Sequence, residues 1–173
     1  MSAPPEFTPL SYCRMMARRY APDHLLHALA LPGQARDAVL PLMGLAAELE
    51  HVREAAKEPM LAQLRYAWWQ EQVDHLHAGN APPSHPVLQA LSPVIMLVEN
   101  AAVDALIAQH RQAHPAPASE ARHALEAACE DLLATAWPEA LPRWRKSAAI
   151  IARHRARFGA RRQTWLTLRL LFS

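Results

Sequence analysis

The chain has 173 residues, 18 Lys and Arg against 16 Asp and Glu, and a formal charge of +2. That length supports one domain with a real core, and a composition half hydrophobic and one fifth charged excludes a disordered chain. Cys13 and Cys129 stand far apart with no CxxC, which excludes a disulfide scaffold or zinc ribbon and fits a reducing compartment.

Four glycines against fifteen prolines, in an alanine-rich chain, point to helices separated by proline rather than to hairpins. The pattern predicts a first helix over Ser11–Arg19 and a second opened by Pro22-Asp23 and running to Ala30. Leu31-Pro32-Gly33 reads as a turn, and Gln34–Lys57 as a long helix with Pro41 as a place for a kink. In that helix Val39, Leu42, Met43, Leu45, Ala46, Leu49 and Val52 recur at the helical period. Glu58-Pro59 restarts the chain into a helix over Met60–His77, stopped at Ala78-Gly79-Asn80. Val87–Ala113 reads as one or two helices jointed at Pro93, and Ser119 as the cap of a helix through Ala136. A basic helix is expected over Arg143–Phe158, and the last residues, TWLTLRLLF, alternate as a strand does while remaining apolar enough for a helix. The division expected is a helical domain over 1–137 and a basic segment over 138–173.

Charge is unevenly placed. Met1–Pro142 holds nine Lys and Arg with all sixteen acids, a formal −7, whereas Arg143–Ser173 holds nine cations and no acid. No apolar run approaches the ~20 residues that a bilayer span requires, and MSAPPEFTPL lacks the form of a signal peptide. A cytoplasmic protein, peripheral at the inner membrane face, is therefore expected.

Glu50 and Glu54 project from one face of the long helix. Such a pair either holds Mg²⁺, which takes oxygen ligands, or is a solvated acidic pair that the adjacent Arg53 neutralises. Arg65, Trp68 and Trp69 are either a core tryptophan pair with an arginine at its rim or a cavity wall with a cation. His110 and His114 have a zinc pair's helical spacing, but no HExxH accompanies them and a proline follows His114, so no zinc site is expected. Arg122, Glu126 and Glu130 read as an exposed, charge-laced face.

From Tyr12 to Arg111 the chain resembles the first half of a squalene/phytoene synthase. The resemblance is carried by Tyr12-Cys13, LALPGQARDAVLPLMGLAAELEHVRE, LRYAWWQEQVDHLHAGNAPPSHPVLQAL and LIAQHR, in that order. Within the family it is nearest the noncanonical branch that includes the mitochondrial complex I assembly factor. That branch's F-N-x-E-L stretch resembles Ala46-Ala47-Glu48-Leu49, and its E-p…R…W stretch resembles Glu58-Pro59 through Arg65 and Trp69.

The resemblance implies an all-α isoprenoid-synthase-like fold in abbreviated form. Family synthases join two prenyl diphosphates head to head, with Mg²⁺ held by two DxxxD motifs facing each other across a cavity. Counted from Leu31-Pro32 through Arg36, the first motif falls on Glu50 and Glu54, with Glu in place of Asp. The longer side chain alters a geometry on which Mg²⁺ is strict. Met43-Gly44-Leu45 and Ala47 stand where an aromatic stretch and an arginine are expected, and the Ser-Phe pair expected near Asp23-His24 is absent. No second motif follows, Asp131 being the sole aspartate after Arg111.

The expectation is therefore a non-catalytic member of the family, an assembly or accessory factor or an isoprenoid-lipid binder. No cofactor is expected, or Mg²⁺ if the chain is catalytic. Arg36, Arg65, Trp68 and Trp69 are expected at the cavity wall or core. Arg153, Arg155, Arg157, Arg161, Arg162 and Trp165 are expected to face an anionic membrane, unless the basic helix packs on the acidic body. An isoprenoid lipid or prenyl diphosphate and a protein partner are further expected, and nucleic acid is not. The alternative is a Mg²⁺-dependent prenyltransferase of the squalene/phytoene synthase type.

Overall fold

Proline sets half of the α-helix starts. In the computed structural model, which describes residues 7–153, α1 (Pro9–Tyr20) and α2 (Pro22–Leu29) begin on proline, as do α4 (Pro59–His77) and α5 (Pro86–Leu91). There the missing N–H removes no helical bond and the fixed φ already suits the helix. Between them runs α3 (Gly33–Ala55); a 3₁₀ turn (Ile95–Leu97), α6 (Asn100–Ala113) and α7 (Ala121–Ala136) follow. Residues 141–153 form α8, and no strand occurs among the described residues. The expected all-α class is what the structure has.

The expected helices fall within two residues of their observed bounds, with two differences. Val87–Ala113 divides at Pro93 into α5, the 3₁₀ turn and α6. Ser119 does not cap α7; its backbone N–H donates to Pro117 O at 3.0 Å, and α7 begins at Ala121 with no side-chain cap. Gly79, at φ 77°, ends α4 in the left-handed region, where glycine carries no Cβ penalty. The tail TWLTLRLLF and the end of the basic helix lie outside the described residues.

α3 is the axis. It touches α1, α2, α4, α5, α6 and α7, and every residue from Ala38 to Leu49 is buried. A helix apolar all round belongs inside a fold, and burial on every side lets α3 run through Pro41 despite the lost backbone donor. The core continues past Pro138. Ala140 and Trp144 are fully buried in the same cluster as α1–α7, with the Trp144 ring edge-on to His27 at 5.2 Å. The body and the start of the basic segment therefore share one core.

Helix α1 lies hard against α3 at Gly44. A Cβ there would sit 2.8 Å from Cys13 Sγ and 3.3 Å from Cys13 Cα, so the α1 backbone is in the way. Alanine at an unconstrained helical site would gain up to ~1 kcal/mol over glycine. Here overpacking reverses that sign, and Gly44→Ala should lose on the order of 1–3 kcal/mol. Urea denaturation followed by circular dichroism measures it; a midpoint equal to or above the parent's would contradict the close approach.

Candidate functional site

Glu50, near the C-terminal end of α3, opens onto a pocket of about 340 Å³. The α1–α2 junction supplies Tyr20, Ala21, Pro22, Asp23 and His24; α3 supplies Ala46 and Glu50, α6 supplies His110, and α7 supplies Arg122 and Leu125. The helix boundaries bring these together: α1 breaks at Ala21, and Pro22 redirects the chain so that α2 presents Asp23 and His24 beside α7.

The charges around the pocket are paired. Arg53 Nε donates to Glu50 Oε1 at 2.7 Å, and its Nη2 lies 2.7 Å from Glu50 and 3.5 Å from Glu54. One guanidinium thus holds both carboxylates of the pair, and the bond to Glu50 raises the Arg53 pKa further. Arg122 lies 3.7 Å from Asp23 across α2 and α7. His110 is 6% exposed. Its Nδ1 is 2.9 Å from Leu106 O. A carbonyl only accepts, so Nδ1 carries the proton and Nε2 keeps its lone pair. Burial lowers the pKa of His110, outweighing the backbone bond and the Glu50 charge, and keeps the ring neutral.

A second polar cluster lies around Glu48, a buried acid inside the apolar run of α3. Tyr12 Oη of α1 donates to Glu48 Oε1 at 2.7 Å. Burial first, then that bond, raises the Tyr12 pKa. Burial and the Glu48 charge push the Cys13 thiol up to about 12, so it stays protonated. His85 Nδ1 accepts from Val87 N–H at 3.3 Å, capping α5, and its Nε2 lies 3.9 Å from Glu48 Oε1. The Trp69 ring meets His85 edge-on at 5.0 Å.

Of the residues singled out by sequence, Glu50 lines the pocket and Glu54 sits beside it, half exposed, on Arg53. Arg36 is half-buried against Asp37 and Arg65 is exposed; neither lines the pocket. The tryptophan pair is divided: Trp69 is 4% exposed and Trp68 40%. Arg153 is exposed, whereas Arg155, Arg157, Arg161, Arg162 and Trp165 lie outside the described residues. His110 and His114 do not act as a pair, each spending a ring nitrogen on a backbone carbonyl, of Leu106 and of Ala56. The face of Arg122, Glu126 and Glu130 is not the exposed stripe expected. Arg122 and Glu126 are half-buried against α2, and Glu130 accepts two bonds from Arg145 of α8. Sequence reasoning passed over Glu48, His85 and the pocket role of His110. An acid between Ala46-Ala47 and Leu49 was the one available signal, since a buried acid demands a partner.

The family model described as squalene/phytoene synthase matches residues 17–135, from α1 to the end of α7. A search of curated proteins and a search of solved structures found no match.

At the pocket's edge and behind it, α2, α7 and α8 bury two imidazoles, His24 and His27. His24 Nε2 lies 3.7 Å from Glu126, beyond hydrogen-bond reach, and both nitrogens of His27 are buried with no bond among the described residues. Burial lowers His24 to about 3 and His27 to about 4, with Arg122 acting in the same sense on both. The unfolded chain, with imidazoles near 6.5, binds more protons than the folded one between those values. Stability should thus be fully present above pH 6.5 and fall as pH drops toward 4, by about 1.4 kcal/mol per pH unit for each proton taken up on unfolding. Urea titrations at pH 7 and pH 5 test this, and the difference should shrink in His27→Leu. A loss at pH 5 that His27→Leu leaves unchanged would place the acid sensitivity elsewhere.

Proposed function

The chain belongs to the squalene/phytoene synthase family, and we propose that it is a non-catalytic member that binds a small isoprenoid-type molecule and serves as an accessory or assembly factor at a membrane surface. The observation that carries the non-catalytic part of this reading is Arg53. The family's first Mg²⁺ position falls on Glu50 and Glu54, and a guanidinium already engages oxygens of both. A divalent cation there would displace that arginine and lie against its charge, so Mg²⁺ does not suit the pair as arranged. Among the described residues no three His, Cys, Asp or Glu side chains are grouped to hold a metal ion.

The finer placement, beside the noncanonical assembly-factor branch, draws support from the residues of that resemblance. His85 lies between the buried carboxylate of Glu48, in the Ala46–Leu49 stretch, and the Trp69 ring, and Tyr12 donates to the same carboxylate. Their role in this reading is to hold α1, α4 and α5 on α3 rather than to act on a substrate.

If the chain is non-catalytic, purified protein with Mg²⁺ and farnesyl or geranylgeranyl diphosphate should release no diphosphate above background. Turnover that Glu50→Gln abolishes would establish the prenyltransferase instead.

The membrane role draws on α8. Arg143, Arg145, Lys146 and Arg153 are exposed there, and Ile150 is 39% exposed. Each cation near an anionic leaflet contributes roughly 1 kcal/mol. Sedimentation with phosphatidylserine vesicles should pull the protein down at low salt and less at high salt, and neutral vesicles should not. Equal pull-down by both would end the membrane reading.

A further inference from the structure

We propose that the outer face of α4 is the contact between two copies of this chain, with the two α4 helices antiparallel about a two-fold axis at Leu64.

Helix α4 carries apolar residues on two sides. Tyr66, Trp69 and Val73 bury the inner side in the core. On the outer side Met60, Leu61, Leu64 and Trp68 stand in solvent, with Met60 77% and Leu64 63% exposed. Single apolar residues at a surface are ordinary, but these four form one stripe. Met60, Leu64 and Trp68 follow each other at four positions, and Leu61 comes three before Leu64. Trp68 is held edge-on against buried Trp69 at 5.0 Å and against His85 at 6.2 Å. Its ring is thus already placed, and little side-chain freedom remains to be lost on contact.

The charges on the stripe say what covers it. Lys57, just ahead of the helix, and Glu71, within it, each stand seven positions from Leu64, close to the same line along α4. Both are exposed, and neither side chain has a partner among the described residues. The stripe therefore has an apolar middle, a cation at one end and an acid at the other. A second copy turned about Leu64 matches every part of it. Lys57 falls opposite Glu71 of the second copy at both ends, Met60 opposite Trp68, and Leu64 opposite itself. A self-complementary patch is what a two-fold dimer requires. A parallel pairing would set Lys57 against Lys57 and Glu71 against Glu71, and an anionic bilayer would meet Glu71 on the midline of the stripe.

The test is sedimentation equilibrium of the full chain across loadings from about 1 to 300 µM, the range suited to a small interface. The weight-average mass should rise with loading from one chain toward two. Leu64→Glu, which sets two carboxylates on the axis, should weaken association at least about tenfold, with the circular dichroism melt of the parent. Lys57→Glu or Glu71→Lys alone should weaken it on the order of fivefold, since each places like charges together at both ends. The double reversal should return it to within about twofold of the parent. Should Leu64→Glu fail to fold, the charge series decides alone. A mass that stays at one chain throughout, a dimer indifferent to Leu64→Glu in the folded variant, or a double reversal no tighter than the single ones would overturn the proposal. A single-chain mass together with binding to neutral vesicles that Leu64→Glu abolishes would also overturn it, giving the stripe to lipid instead.

Discussion

The contact between α1 and α3 at Cys13 and Gly44 sets the spacing on which the rest of the molecule is assembled. With no side chain at Gly44, α1 approaches α3 closely enough for Cys13 to fill the gap. That approach brings Tyr12 Oη to 2.7 Å from Glu48, which is what allows a carboxylate to lie inside an apolar helix. It also seats α1 on α3 ahead of the break at Ala21, from which Pro22 starts α2 beside α7. A wider spacing would leave Glu48 without its donor and Cys13 against a void.

Helix α3 keeps its acids apart. Glu48 and Glu50 are two positions apart, so at 3.6 residues per turn they leave the helix on nearly opposite sides. Glu48 turns to α1 and α5, where Tyr12 and His85 meet it, and Glu50 turns to Arg53 and the pocket. One helix thereby separates a buried polar cluster from a pocket-facing one. Their closeness in sequence says nothing about shared chemistry.

The helical class and nearly every helix boundary were legible because proline and apolar period act locally. Pro9, Pro22, Pro59 and Pro86 each opens a helix, and Gly79 closes one. The Glu50–Glu54 pair was legible as a pair, and Arg53 lay beside it in the chain. What the sequence hid depends on separation. Tyr12 and Glu48 are 36 positions apart and His114 reaches Ala56 across 58, and nothing local signals either bond. The exposed face expected for Arg122 and Glu126 misled for the same reason. A charge pattern that suits solvent suits a neighbouring helix equally when that helix brings Asp23 and His24.

Trp144 lies two residues past Pro142 in a stretch that reads as a charged appendage, yet its ring is fully buried against His27. Of the first cations of the basic segment, Arg143 and Arg145 flank that ring, so the indole fixes where they emerge from the body. The body and its charged extension are thus joined by a peg seated in the core, not by a hinge. A chain cut after Pro142 loses the peg together with the charge and leaves an indole-sized void beside His27. Arg145 then ties the following turn to Glu130 of α7, so a cut at Pro142 removes that ion pair as well.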